Sequence, residues 1–164
     1  MSQTFKDRVV ELMPMLRGYA MTLTRSSSEA EDLVQDTLVR AWRYREGFQP
    51  GTNLEAWLCA IQRNCFYTSR AGATRTVQDV EGRHAAQLTT QADQEWRLRY
   101  CELLEALKQL TPDTRDALLL VAGAGLTYED AAQVTGCAVG TMKSRVHRAR
   151  AHLAEIVDPA ALGV

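Results

Sequence analysis

Four cations, Lys143, Arg145, Arg148 and Arg150, stand within residues 136–153 with no carboxylate among them, and Ser144 and His147 lie between them. These side chains donate hydrogen bonds and carry charge, but no nucleophile–base pair or acid–base couple accompanies them. Their chemistry is that of phosphate and base-edge recognition. Arg and Lys fork onto guanine, Ser pairs with either base type, and all of them can hold the DNA backbone. The whole chain carries a net charge of −1, so the rest of it is acidic and the positive charge is concentrated locally. Such concentration is an electrostatic footprint for nucleic acid.

A second group mixes cations with rings. Arg63, Asn64, Phe66, Tyr67 and Arg70 follow one another closely, after a polar loop, 44–53, that carries Tyr44 and Phe48. Cations that track a backbone beside rings that stack on unpaired bases suit single-stranded nucleic acid, each stack contributing about 1–3 kcal/mol. Taken singly, Phe66 reads equally well as core and a loop aromatic as a local anchor. Asp32 and Asp36 are one helical turn apart on a wet face with no acid–base partner implied. No Gly-rich phosphate loop, H-E-x-x-H pattern or nucleophile elbow occurs. Cys59, Cys65, Cys101 and Cys137 form no C-x-x-C pair, and His84, His147 and His152 have no ligand spacing. The cysteines read as structural thiols, and neither a metal nor a cofactor is expected.

The elements that position these groups are helical. Val139, Met142, Val146, Ala149, Leu153 and Ile156 recur at steps of three and four, an apolar stripe on one helix. At about 100° per residue, Gly140, Ser144, His147 and Ala151 fall opposite it. Lys143 and Arg148 flank that face, and Arg145 and Arg150 lie nearer the apolar edge. Before it, Thr127-x-x-Asp130 opens a short helix that breaks at Gly136. Two helices about a glycine turn form a helix-turn-helix, whose second helix reads the major groove.

Earlier in the chain, Phe5, Val9, Leu12, Leu16, Ala20 and Leu23 form a stripe that Pro14 should kink or divide. Ser28-x-x-Glu31 predicts a capping box for a helix over 29–43. There Ala30, Leu33, Val34, Thr37, Leu38, Ala41 and Trp42 should face a core, with Asp32, Gln35, Asp36 and Arg40 outside. Thr52 or Asn53 should cap a third helix with Leu54, Trp57, Leu58, Ile61 and Cys65 buried and Gln62 among the remaining positions. Periodicity fades over 71–93, apart from one possible turn at 84–88, and Thr111-Pro112 starts a later helix. The expected fold is all-α: one small helical module at 1–70, a flexible linker at 71–94, a second module at 95–157 and a tail at 158–164. No signal peptide or membrane span is visible, so a cytoplasmic protein without membrane insertion is expected.

Three stretches resemble a known family. AEDLVQDTLVRAW (30–42), NLEAWLCAIQRN (53–64) and GLTYEDAAQVTGCAVGTMKSRVHRARAHL (125–153) are similar to extracytoplasmic-function sigma factors of bacterial RNA polymerase. The resemblance implies a region 2 bundle followed by a region 4 helix-turn-helix. It implies that Asp32, Gln35, Asp36 and Arg40 meet the polymerase clamp helices, with the flap region as a further polymerase contact. Phe48, Asn53, Arg63, Asn64, Tyr67 and Arg70 would separate and hold the −10 strands. Lys143, Ser144, Arg145, His147, Arg148 and Arg150 would meet the −35 duplex. FQPGTNLEAWL and CAVGTMKSRV look closest to the alphaproteobacterial general-stress-response branch, which implies control by an anti-sigma factor. TSRAGATR carries fewer arginines after the melting helix than many relatives do, and His147 stands where an aromatic is common.

Two rivals remain on the residues alone. An autonomous repressor or activator would use the same helix-turn-helix as a dimer on a palindrome, with no use for the first module's loop and rings. A decoy that binds only an anti-sigma factor would not need the reading face to stay basic.

Overall fold

The computed structural model describes residues 4–73 and 91–156. Among them the secondary structure is helical, without strands. The first helix, α1 (Phe5–Glu11), is capped by Thr4, whose hydroxyl accepts from Asp7 N while Asp7 reaches back to Thr4 N. Pro14 then lies in the first turn of α2 (Met13–Thr24), where its missing N–H costs nothing, so the apolar stripe is divided rather than kinked. Arg25 leaves α2 in the left-handed region at φ 60°, and Ser26 is extended. An extended residue is what an N-cap requires, so Ser26, rather than the expected Ser28, caps α3 (Ser27–Arg43) by accepting from Glu29 N. A 3₁₀ turn follows at Arg45–Gly47, and Asn53 caps α4 (Leu54–Ala73) by accepting from Ala56 N at 3.2 Å.

Leu16, Tyr19, Leu23, Leu33, Val34, Leu54 and Leu58 close the core of this bundle. Thr37 is buried as expected, its hydroxyl satisfied by Leu33 O at 2.7 Å. Two positions depart from the expected pattern. Trp42 is 53% exposed on the side of the last turn of α3 away from buried Ala41, with the Arg45 guanidinium 4.9 Å from its ring centroid. Gln62 is fully buried and donates to Leu16 O at 2.9 Å. A single stripe does not describe α4, since α2 and α3 pack on it and so does α7 from the second module.

That module comprises α5 (Gln91–Lys108), α6 (Pro112–Leu118), a π turn (Leu119–Gly123), α7 (Tyr128–Thr135) and α8 (Val139–Ile156). Arg115 closes the end of α5 by donating to the carbonyls of Leu107, Lys108 and Leu110 at 2.8–3.2 Å, groups that a helix end otherwise leaves unpaired. Met142, Val146, Ala149 and Leu153 of α8 are buried, and α6 and α7 pack on this helix. Ile156, at the far end of the stripe, is exposed. Cys59 and Cys65 are buried, but Cys101 sits on an exposed side of α5, so it is not the buried thiol expected there. The turn expected at 84–88 lies outside the described residues.

The modules do not stand apart. α4 packs on α7 and α2 packs against the π turn, so the two cores share a polar seam.

Candidate nucleic-acid interface

Thr127 starts the helix-turn-helix: its Oγ1 accepts from Asp130 N at 3.1 Å and donates to Asp130 Oδ2 at 2.9 Å. Gly136 ends α7 in the left-handed region at φ 69°, ψ 32°, and Cys137 N donates to Ala132 O at 3.0 Å. This reversal seats α8 with its buried stripe inward. Lys143, Ser144, His147 and Arg148 are all exposed. Ser144 Oγ donates to Gly140 O at 2.9 Å and Arg148 Nε to Ser144 O at 3.3 Å, so both rest on their own helix, which leaves them easily redirected. Lys143 Nζ lies 5.8 Å from the Tyr128 ring centroid.

The other two cations of this group are placed differently. Arg145 pairs with Asp113 of α6 at 2.6 Å. Arg150 borders an apolar cleft of about 730 Å³ with Leu103, Leu107, Leu118 and Leu153, facing Thr22 of α2. The structure thus groups four of the six, with the remaining two at the packed edges of the helix.

In the first module, Asp32, Gln35, Asp36 and Arg40 share the exposed side of α3, where Val39 and Trp42 are also open to solvent. Phe48 packs with Phe5 and Trp57 at centroid distances of 6.0 and 5.4 Å, so its ring serves as a local anchor. Asn64 is exposed, and the Arg70 guanidinium lies 4.8 Å from the Phe66 centroid. Asn53, Arg63 and Tyr67 instead face the second module. Arg63 Nε donates to Asp116 Oδ2 at 2.9 Å, and the Tyr67 hydroxyl reaches the same carboxylate at 2.8 and 2.9 Å. Asn53 Nδ2 donates to Asp130 Oδ2 at 2.7 Å.

Asp116 was not among the residues singled out by sequence, and Asp130 was read there only as part of the Thr127 helix start. Asp116 reads there as one polar residue of a short helix, and its partners are 49 and 53 residues away. Burial, reinforced by the Asp116 carboxylate, pushes the Tyr67 phenol up to about 12. Tyr19, in the core beneath, is raised well above its ordinary value, first by burial and then by Asp116. Burial also raises Cys59 to about 12, which makes it an inert thiol. No cluster of metal-ligating side chains occurs among the described residues, and no described helix is long and apolar enough to cross a membrane.

A helical bundle joined to a helix-turn-helix, with a basic reading face on one and cation–ring pairs on the other, defines a two-module nucleic-acid-binding protein. Residues 9–76 match the family described as sigma-70 region 2, and residues 102–153 match sigma-70 region 4. The chain is 43% identical over 157 residues to the ECF RNA polymerase sigma factor EcfG of Rhodopseudomonas palustris, covering 96% of this chain and 87% of that one. It is 30% identical over 166 residues to the RNA polymerase sigma factor CarQ of Myxococcus xanthus, covering 98% and 92%. Among solved structures it resembles the sigma factor RpoE of Bartonella quintana, crystallised with the anti-sigma factor NepR. There the TM-score is 0.76 at 39% identity, covering 93% of this chain and 95% of that one. The chain belongs to the extracytoplasmic-function sigma factors of the sigma-70 family. Members of that family are transcription-initiation factors that bind core RNA polymerase and promoter DNA.

Proposed function

We propose that this chain acts by binding alone, in the cytoplasm, as a bipartite promoter reader. Residues 1–70 dock on core polymerase through Asp32, Gln35, Asp36 and Arg40, and Asn53, Arg63, Asn64, Tyr67 and Arg70 hold the separated −10 strands. Phe48 supports that surface from beneath. Residues 95–157 read the −35 duplex, with Lys143, Ser144, His147 and Arg148 toward base edges or phosphates and Arg145 and Arg150 at the margins. Neither contact is strong alone, and carrying both on one chain raises the effective concentration of the second after the first has formed.

The observation that carries this reading is the exposed Lys143–Arg148 face on a helix whose opposite side buries Met142, Val146, Ala149 and Leu153. A cationic helix that merely closed a bundle would have no reason to keep every carboxylate off its exposed side over residues 139–154. The 43% identity to the ECF RNA polymerase sigma factor EcfG accords with the general-stress-response resemblance of FQPGTNLEAWL and CAVGTMKSRV and so supports a stress-response role. The Bartonella relative bound to NepR supports control by a small anti-sigma protein. Run-off transcription with purified core polymerase and no other factor tests the function. Promoter-dependent product is expected; its absence, with intact binding to an anti-sigma factor, would favour a decoy.

A further inference from the structure

We propose that α1 is a brace for the loop between α3 and α4: Phe5 seats Phe48 and Trp57, and so holds residues 44–53 in the shape in which they meet a separated DNA strand. Phe5 is thus a positioning residue that acts through Phe48. The bracing stands on the geometry alone, and its purpose rests on the −10 reading.

The loop has little of its own to place it. Its backbone hydrogen bonds are local turns, from Gly47 N to Tyr44 O at 2.9 Å, Phe48 N to Arg45 O at 3.2 Å and Thr52 N to Gln49 O at 3.2 Å. The Thr52 hydroxyl donates to the same Gln49 carbonyl at 2.8 Å, and the Arg45 guanidinium reaches only back to Trp42 O at 2.9 Å. Turns of this kind shape a loop without fixing it against the rest of the molecule. From Tyr44 to Thr52 every residue is exposed except Phe48. Between its two ends, the loop is therefore placed on the bundle by one ring.

That ring lands on a seat made by two elements. Trp57 of α4 lies 5.4 Å from the Phe48 centroid with the planes at 55°, and Phe5 of α1 lies 6.0 Å from it at 48°. Phe5 also meets Trp57 edge-on, at 6.2 Å and 74°. All three separations fall in the range that aromatic pairs favour, so the rings form a closed triad. Trp57 in addition lines a cleft of about 280 Å³ with Gly47, Gln49, Thr52 and Asn53. Phe5 thus backs both the anchor of the loop and a wall of the cleft that the loop borders.

α1 contributes little else. None of its seven residues is buried. Val9 and, just past its end, Leu12 rest on the core and keep the helix in place without Phe5. Its start is nevertheless closely specified by the reciprocal bonds between Thr4 and Asp7. A helix this short is not stable by itself, so the cap acts locally, and the residue it fixes is Phe5, the first of the helix.

The test uses the full chain as wild type, Phe5→Ala, Phe5→Tyr and Thr4→Ala, with hydrogen exchange as the first readout. Phe5→Ala should speed amide exchange at Gly47, Phe48 and Thr52 about tenfold, as the loss of two ring pairs implies, while α3 keeps its protection. Phe5→Tyr retains the ring and should exchange like wild type. Thr4→Ala removes only the cap and should shift the same amides by less, which keeps the test open if Phe5→Ala misfolds. The second readout is permanganate reactivity of unpaired −10 thymines on a duplex promoter in the holoenzyme. It should fall by up to about tenfold in Phe5→Ala, since strand capture scales with the fraction of chains that hold the loop in place. Binding to core polymerase and to −35 duplex DNA should not change.

Unchanged loop exchange in both Phe5→Ala and Thr4→Ala would overturn the brace. So would exchange that quickens equally in α2, α3 and α4, because Phe5 would then serve stability alone. Faster loop exchange with normal strand opening, while Arg63→Ala impairs opening, would overturn the role of the brace in melting. Normal opening in both Phe5→Ala and Arg63→Ala would count against the −10 reading instead and leave the brace standing on the exchange result.

Discussion

Gly136 joins the two helices of the DNA-reading motif, and replacing it with alanine isolates one physical term. Its φ of 69° and ψ of 32° lie in the left-handed region. A Cβ built there meets nothing within 4 Å, so packing contributes no penalty. What remains is the clash of the Cβ with its own backbone, about 1–2 kcal/mol. Alanine also restricts the unfolded chain, which offsets the loss by up to about 0.4–1 kcal/mol. The net destabilisation by Gly136→Ala should be about 1 kcal/mol, or about 2–4 °C in Tm for a chain of this size. Gly136→Asn should recover about half, because asparagine tolerates this conformation better than alanine. Urea or thermal unfolding of the full chain measures both. A loss of about 1 kcal/mol is small against the 5–15 kcal/mol of an ordinary domain, so duplex DNA affinity at room temperature should not change. Equal stability of the glycine and alanine proteins would refute the argument. So would an asparagine variant as unstable as the alanine one, since the defect would then not be conformational.

Three further outcomes follow from the same structure. Arg148→Ala should weaken binding to −35 duplex DNA by about 1–3 kcal/mol if the side chain reaches a base edge, and should reduce the salt dependence if it reaches a phosphate. Arg145→Ala should weaken it less, since that side chain already pairs with Asp113; anisotropy titrations at several salt concentrations separate the two, and the reverse order would contradict the assignment. In alkaline solution Tyr67 should ionise near 12 rather than near 10, because burial, then Asp116, favours the neutral phenol. A folded pKa above the unfolded one means that this stabilisation is complete below pH 10 and lost as pH rises toward 12. Phenolate absorbance compared between wild type and Tyr67→Phe gives the reading, and a difference centred at the ordinary phenol value would refute it.

Local pattern made most of this molecule legible. The spacing from Val139 to Leu153 predicted the buried side of α8, and Met142, Val146, Ala149 and Leu153 are there. The Thr127 start, the Gly136 break and the exposed Lys143, Ser144, His147 and Arg148 were readable too, because each depends on neighbours within one or two turns. Two positions depart from the local pattern, Gln62 and Trp42, and Phe48 takes the local-anchor reading of a loop aromatic. Gln62 is buried because α2 of its own module packs on that side of α4 and offers the Leu16 carbonyl. Trp42 is exposed although its spacing matches the core positions, since it shares the side of α3 that holds Gln35 and Val39. Phe48 is committed to Phe5 and Trp57, which lie far from it in sequence or across a turn.

Composition and periodicity by themselves determined that this chain is helical and bipartite, and that one exposed face of its last helix is basic. Those properties arise from hydrophobic periodicity and charge density, which are written in contiguous residues. Only the tertiary structure decided that Asn53, Arg63 and Tyr67 turn toward the chain's own carboxylates. A cation and a ring in sequence announce an affinity for anions, but not which anion they meet. That depends on which surface is brought within about 3 Å, and here docking of the second module supplies Asp116 and Asp130.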